Sequence, residues 1–574
     1  MTGPAAGSAR SEPPASDAVG ADVAAPLDEL LTQAALGPVR RMLPGGAGLR
    51  FLAAAGRRPR QVGGRLATLT AELARIAAGR SDLAPDARDR RFADPAWTGN
   101  PLLHRLVQAY LSAGRAVDGI VQDVPLGWSD GERIRFAAEN LIDALAPSNN
   151  PLVSPLAWKA VLDTGGANLI NGPRQLVSDL VSAPRVPSMV DRSAFTVGGN
   201  VATSPGSVVL RTPVLEVLQY RPRTETVRSV PVLVVPPTIN KYYVLDLAPG
   251  RSLVEYLVGQ GQQVFMISWR NPRAEHRAWG FDEYATAITQ ALDAVQEITG
   301  ADQVHALAAC SGGLLTALTA AHQATAGKPG RLAGLTLLVT MIDQRQAGTV
   351  TALLDARAAE RAIDKSRRAG YLDGRSLAEV FAWLRPNDLI WNYWVANYLQ
   401  GRPPPAFDIL YWNADTTRMT AALHRDFIDV ALHNKLVRPH EVTVLGTPID
   451  LRAISVDAYV VAGSADHICP WVNCYRSSQV LGGKVRFVLS TNGHIAALVN
   501  PPGNRKSSYQ ASDDNTRDAE EWRRETPTSQ GTWWSDYAEW LGARSGEPRP
   551  APSDLGSAQH RPIEAAPGRY VHEK

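Results

Sequence analysis

The sequence is poor in cysteine: its 574 residues contain three, Cys310, Cys469 and Cys474. So small and odd a number excludes a disulfide framework and points to a reducing compartment. No Cys/His cluster supplies the other ligands of a tetrahedral zinc site, so no metal is expected. Cys469 and Cys474 read as ordinary reduced thiols. Charge of one sign is lacking as well. Lys and Arg total 59 against 56 Asp and Glu, a formal net charge of +3. No basic block marks a phosphate-tracking surface, which excludes nucleic acid as an expected partner. The first residues lack the basic start and apolar run of a signal peptide, so a cytoplasmic location is expected. Long apolar runs are scarce. One long stretch, Val304 to Gly327, free of Asp, Glu, Lys and Arg, could by length be a membrane span. Its Gly-Gly pair, its histidines and its Gln fit a buried strand, a sharp turn and a buried helix better. No transmembrane segment is expected.

What is present is ordinary globular material, 45% hydrophobic and 20% charged, enough for a sizeable core. The length fits about two to three folded units. Residues 1–26, rich in Ala, Pro, Ser and Gly, are expected to be a disordered tail. Residues 27–190 read as a mostly helical N-terminal domain. Within it, P-L-L-H-R-L-V-Q-A-Y spaces Leu102, Leu103, Leu106, Val107 and Tyr110 along one helical face, with Pro101 suited to the first turn and Gly114 to the stop. Residues 191–546 change character. Val- and Leu-rich strands alternate with helices such as Tyr284 to Thr299, which places Tyr284, Ile288, Leu292 and Val295 on one face and stops at Gly300. That alternation predicts an α/β domain with helices on both faces of a parallel sheet. An insertion over about 345–445, dense in aromatics, is expected to form a cap. Residues 547–574, Pro-rich and polar, are expected to be an extended C-terminal tail.

The chemistry gathers around V-H-A-L-A-A-C-S-G-G. An α/β-hydrolase fold carries its nucleophile on a sharp strand-to-helix turn, G-x-S-x-G. Two registers fit here, one centred on Cys310 and one on Ser311, and both put Ala in place of the first Gly. Spacing leaves them tied. The fold's triad runs nucleophile, acid, His. Asp466 follows the strand D-A-Y-V-V-A-G, and His494 follows V-R-F-V-L-S. Both stand at carboxyl ends of strands, where such sheets bind ligands. His467 is a rival base, but it shares the acid's own loop and is poorly placed to bridge acid and nucleophile. His494 then removes the nucleophile's proton, and Asp466 orients the imidazole. The residue after the nucleophile donates one backbone N–H to an oxyanion. The loop P-P-T-I-N-K offers Thr238 or Ile239 for a second.

Several further stretches carry a family resemblance: P-P-T-I-N-K-Y-Y-V-L-D-L from Pro236, S-W-R-N-P from Ser268, A-C-S-G-G from Ala309, R-P-N-D-L-I-W-N-Y-W from Arg385, Y-W-N-A-D-T-T-R-M from Tyr411, A-D-H-I-C-P-W from Ala465 and G-H-I-A-A-L-V-N-P-P from Gly493. R-F-A-D-P-A-W from Arg91 and P-S-N-N-P from Pro147 extend the match toward the N-terminus. Together they resemble the polyhydroxyalkanoate synthases, and the wording is most similar to the single-polypeptide, medium-chain class. The resemblance implies a Cys nucleophile followed by one residue and two glycines, which falls on Cys310 and leaves Ser311 as a backbone oxyanion donor. It implies Asp466 and His494 as acid and base. Ala308 departs from the family's usual Gly and adds a methyl at a crowded turn. The implied reaction polymerises (R)-3-hydroxyacyl-CoA into a polyester with release of CoA. No cofactor is implied, since coenzyme A is part of the substrate. A homodimer at the surface of cytoplasmic polyester granules is implied as well. The competing reading is an intracellular polyester depolymerase or esterase using Ser311.

Overall fold

The computed structural model describes residues 45–345 and 356–574, apart from 88, 182 and 328, together with Leu31 and Ala34. The stretch expected to be disordered, 1–26, lies outside the described residues. The organising element is an 11-stranded sheet. Its strands are β1 (Gly206–Arg211), β2 (Leu215–Tyr220), β3 (Val232–Val235), β4 (Val264–Trp269), β5 (Val304–Ala309), β6 (Leu332–Leu338), β7 (Ala458–Gly463), β8 (Val485–Ser490), β9 (Ser508–Ser512), β10 (Thr528–Gln530) and β11 (Glu564–Ala565). They lie in the order β10-β9-β8-β7-β6-β5-β3-β4-β2-β1-β11. The centre, β4-β3-β5-β6-β7-β8, is parallel. Antiparallel strands flank it on both sides.

The central strands are apolar without interruption because both faces are covered. Successive side chains point to opposite faces, so one strand feeds two cores. Leu233 and Val235 pack with Ile288, Leu292, Leu314 and Leu318 on the helices Phe281–Thr299 and Cys310–Thr325. Val232 and Val234 pack on the other face with Leu253 and Leu257, and with Trp533, Tyr537 and Leu541 of Trp533–Gly542. Phe281–Thr299 buries Tyr284, Ile288, Leu292 and Val295 and ends at Gly300 with φ +67°, as its spacing predicts.

The described chain before β1 is built of helices, the longest being Pro59–Ala77, Pro101–Asp123 and Trp128–Ala144. Asn100 caps Pro101–Asp123 by accepting from the amides of Leu102 and Leu103. Gly114 does not stop this helix; the chain continues through it to Asp123. An interior Gly costs only about 1 kcal/mol, and tertiary packing overrides it. The buried face is also rotated from the expected one: Val107 is buried, whereas Leu102 is 75% exposed.

Between β6 and β7 the described chain is largely helical, with Ala356–Ala369, Gly374–Leu384, Asp408–Ala414 and Ala421–Leu432, and π-helical turns at Asn387–Trp391 and Trp394–Leu399. Residues 346–355 of the expected cap lie outside the described residues. The aromatic run packs on the N-terminal helices. Trp383, Trp391, Trp394 and Tyr398 meet edge to face in series. Trp394 Nε1 donates to the carbonyl of Asn149, and Tyr398 Oη to Asp179, so the run docks on the N-terminal helices. Residues 547–574 are extended, but they are bound along the body. β11 pairs with β1, Tyr570 and Val571 are buried, and Lys241 Nζ donates to the carbonyls of Tyr570 and Glu573 at 3.2 and 2.7 Å.

Candidate active site

β5 runs into the helix Cys310–Thr325 without a loop. The turn is made at Cys310 itself, whose φ is +50°. A non-glycine residue in that region stores about 1–3 kcal/mol of strain, and such strain is common at functional positions. The two glycines after Ser311 are required by close approach. A Cβ on Gly312 would stand 2.2 Å from the Pro236 carbonyl oxygen, and one on Gly313 2.1 Å from Thr340 Oγ1. Ala308 is fully buried within β5, and the sheet's core accommodates its methyl.

Asp466 follows β7, and His494 opens the short helix His494–Leu498 after β8. Parallel pairing of β7 with β8 brings the two strand ends side by side. Asp466 Oδ1 accepts from the amides of Ile468 and Cys469 at 2.8 and 2.9 Å. Its Oδ2 meets His494 Nδ1 at 2.7 Å. Both carboxylate oxygens are thereby engaged, and the imidazole is fixed with its other face toward Cys310. Burial opposes charge on His494, but Asp466 and Cys310 outweigh it and raise the imidazole to about 10. A hydrogen bond from the Cys469 thiol, against the opposing effect of burial and with help from His494, brings the Cys310 thiol down to about 5. Both shifts favour the thiolate–imidazolium form of the pair. His467, the rival base, has its Nδ1 buried without a hydrogen-bond partner among the described residues, and burial lowers it to about 4.

Ser311 is held elsewhere. It is 1% exposed, and its Oγ accepts from the Thr238 amide at 2.9 Å and lies 3.0 Å from Thr238 Oγ1. This staples the turn to the loop after β3. It also corrects an expectation: the Thr238 amide is spent on Ser311 and is not free for an oxyanion. Ile239 is the remaining donor candidate in that loop. The loop is buttressed by the insertion, since Thr417 Oγ1 donates to the Thr238 carbonyl and Trp412 Nε1 to the Lys241 carbonyl.

Sequence reasoning missed Cys469, which it read as an ordinary thiol. The signal was its position three residues after Asp466. An Asp that accepts from the next two amides but one curls the chain back, which carries the side chain at that position to the carboxylate. Among the described residues, Asp466, Cys469 and His494 present donor atoms that all lie within 4.8 Å of one another.

The family model described as the N-terminus of poly-beta-hydroxybutyrate polymerase (PhaC) matches residues 88–257, and the alpha/beta hydrolase fold model matches residues 231–501. Poly(3-hydroxyalkanoate) polymerase 1 of Ectopseudomonas oleovorans is 45% identical over 503 residues, 88% of this chain and 90% of the relative. Poly(3-hydroxyalkanoate) polymerase 2 of the same organism is 44% identical over 90% of this chain and 92% of its own length. The poly(3-hydroxyalkanoate) polymerase subunit PhaC of Cupriavidus necator is 38% identical over 87% and 85%. Identity at this level across nearly the whole of both chains, on an α/β-hydrolase fold, shows that the chain belongs to the poly(3-hydroxyalkanoate) polymerase family of acyltransferases.

Proposed function

We propose that this chain polymerises (R)-3-hydroxyacyl-CoA through a covalent thioester on Cys310, with His494 as the proton carrier and Asp466 as its orienting group. The observation that carries this reading is the Cys310–His494–Asp466 chain of contacts, with Asp466 2.7 Å from His494 Nδ1. The Cys310 thiolate attacks the thioester carbonyl. The tetrahedral oxyanion takes hydrogen bonds from backbone amides, for which Ser311 and Ile239 are the candidates. CoA leaves as a thiolate and takes the imidazolium proton. The 3-hydroxyl of another unit then attacks the Cys310 thioester, and neutral His494 accepts its proton. His494 is favoured over Asp466 as the base for that hydroxyl, because Asp466 is held by His494 and by the amides of Ile468 and Cys469. No cofactor enters these steps.

The same proposal includes a granule surface and a homodimer at work in the cytoplasm. Among the described residues no helix is long and apolar enough to cross a membrane. Support for a water-insoluble partner comes from the N-terminal helices, which expose Leu49, Leu102, Leu162, Ile170 and Val181 at 72%, 75%, 82%, 73% and 80%. The test of the chemistry is CoA release from (R)-3-hydroxyacyl-CoA of several chain lengths by two variants. Cys310→Ala is expected to be inactive and Ser311→Ala active. An inactive Ser311→Ala beside an active Cys310→Ala would transfer the role to the serine and to ester hydrolysis.

A further inference from the structure

The acyl-transfer steps use one thiol, yet the site contains two. Cys469 is 5% exposed, its Sγ lies within 4.8 Å of donor atoms on both Asp466 and His494, and it is the neighbour that does most to lower the Cys310 thiol. Cys310 is the more open of the two. One thiol is partly open and favours its thiolate, while its neighbour is enclosed and favours its protonated form. That is the division between a peroxide-reactive thiol and a resolving thiol. The third cysteine is not in this arrangement. Cys474 is fully buried and its Sγ donates to the Cys469 carbonyl at 3.7 Å.

We propose that Cys310 and Cys469 form a reversible intramolecular disulfide when hydrogen peroxide reaches the site. The Cys310 thiolate attacks one peroxide oxygen and the O–O bond breaks. The departing hydroxide takes the His494 proton and leaves as water. Cys310 is now a sulfenic acid, oxidised by two electrons, and the peroxide is reduced by two. Cys469 passes its proton to neutral His494 and attacks the Cys310 sulfur. The S–O bond breaks, the S–S bond forms, and the second hydroxide takes that proton as water. In sum, two thiols and one peroxide give one disulfide and two waters. The disulfide removes the nucleophile and halts polymerisation. It also keeps Cys310 from irreversible oxidation to sulfinic acid. A dithiol reductant restores both thiols.

The test is peptide mapping of the full-length protein after hydrogen peroxide, alkylation and digestion. The expected product is a Cys310–Cys469 cross-linked peptide that dithiothreitol dissolves, with return of CoA release. In Cys469→Ser the same treatment is expected to give sulfinic acid at Cys310 and a loss of activity that dithiothreitol does not reverse, each protein scored against its own untreated sample. Sulfinic acid at Cys310 in the wild type without a cross-link, or a cross-link between Cys469 and Cys474, would overturn the proposal. The map is read on sulfur, so it stands even where a variant has no turnover and does not depend on the acyl-transfer reading.

Discussion

Each reactive side chain owes its charge state to the next. The Cys310 thiol is brought down to about 5 by Cys469 and His494, and His494 is raised to about 10 by Asp466 and Cys310. Alkylation by iodoacetamide reports the thiolate directly. Its rate at Cys310 is expected to lose its thiolate as pH falls through about 5, where an ordinary thiol would titrate near about 8.5. In Asp466→Asn the imidazolium loses the carboxylate opposite it, so the inflection is expected to move upward. An unmoved inflection would break the link from Asp466 through His494 to Cys310. Ser311 belongs to the same scale but to a different job. Ser311→Ala leaves the buried Thr238 amide without its acceptor, and an unsatisfied buried donor costs about 1–3 kcal/mol. Urea unfolding is expected to show that loss, while CoA release persists. Spacing alone left Cys310 and Ser311 tied because both fit the turn, and the family resemblance chose Cys310. What separates them is a contact to a loop more than 70 residues away, which no local pattern encodes.

The turn between β5 and its helix is the element on which the site depends. Gly312→Ala or Gly313→Ala would drive a methyl into the Pro236 carbonyl or into Thr340. Overpacking of this kind costs about 1–3 kcal/mol. Either variant is expected to lower the melting temperature and remove turnover together. Gly63→Ala is the control. It lies inside Pro59–Ala77 with nothing among the described residues within 4 Å of an added Cβ, and helix propensity predicts a gain of about 0.5–1 kcal/mol. Equal behaviour of all three would mean that the elbow glycines are not held by close approach. The strands were the most legible elements. A parallel strand covered on both faces must be apolar throughout, and V-L-V-V or V-H-A-L-A-A says so in the sequence. Helix ends were less legible. Gly114 carries a local stop signal, but the neighbours that override it come from distant segments. Thr238 is similar, since its amide is satisfied from another element.

For the molecule as a whole, the N-terminal helices, the insertion and the sheet form a continuous structure. The aromatic run of the insertion ties the helices to the hydrolase body, and the chain's last described residues brace the loop beside Cys310 through Lys241. Neither long-range role could be read from composition. The exposed apolar side chains of the N-terminal helices remain unspent. Leu162→Glu with Val181→Glu is expected to weaken binding to amorphous polyester particles by at least about tenfold, since burying one such side chain contributes about 1.5–3 kcal/mol. CoA release from soluble substrate should not change. Unaltered particle binding would place the docking surface elsewhere. The central claim is that the growing ester is carried on the Cys310 sulfur. The most direct measurement is mass spectrometry of peptides from protein quenched with acid during turnover of (R)-3-hydroxyacyl-CoA. The account predicts one or more hydroxyacyl units on the peptide that contains Cys310, and none on that peptide in His494→Ala quenched at the same early time. An acyl group on Ser311, or turnover with no acyl group on the Cys310 peptide, would contradict it.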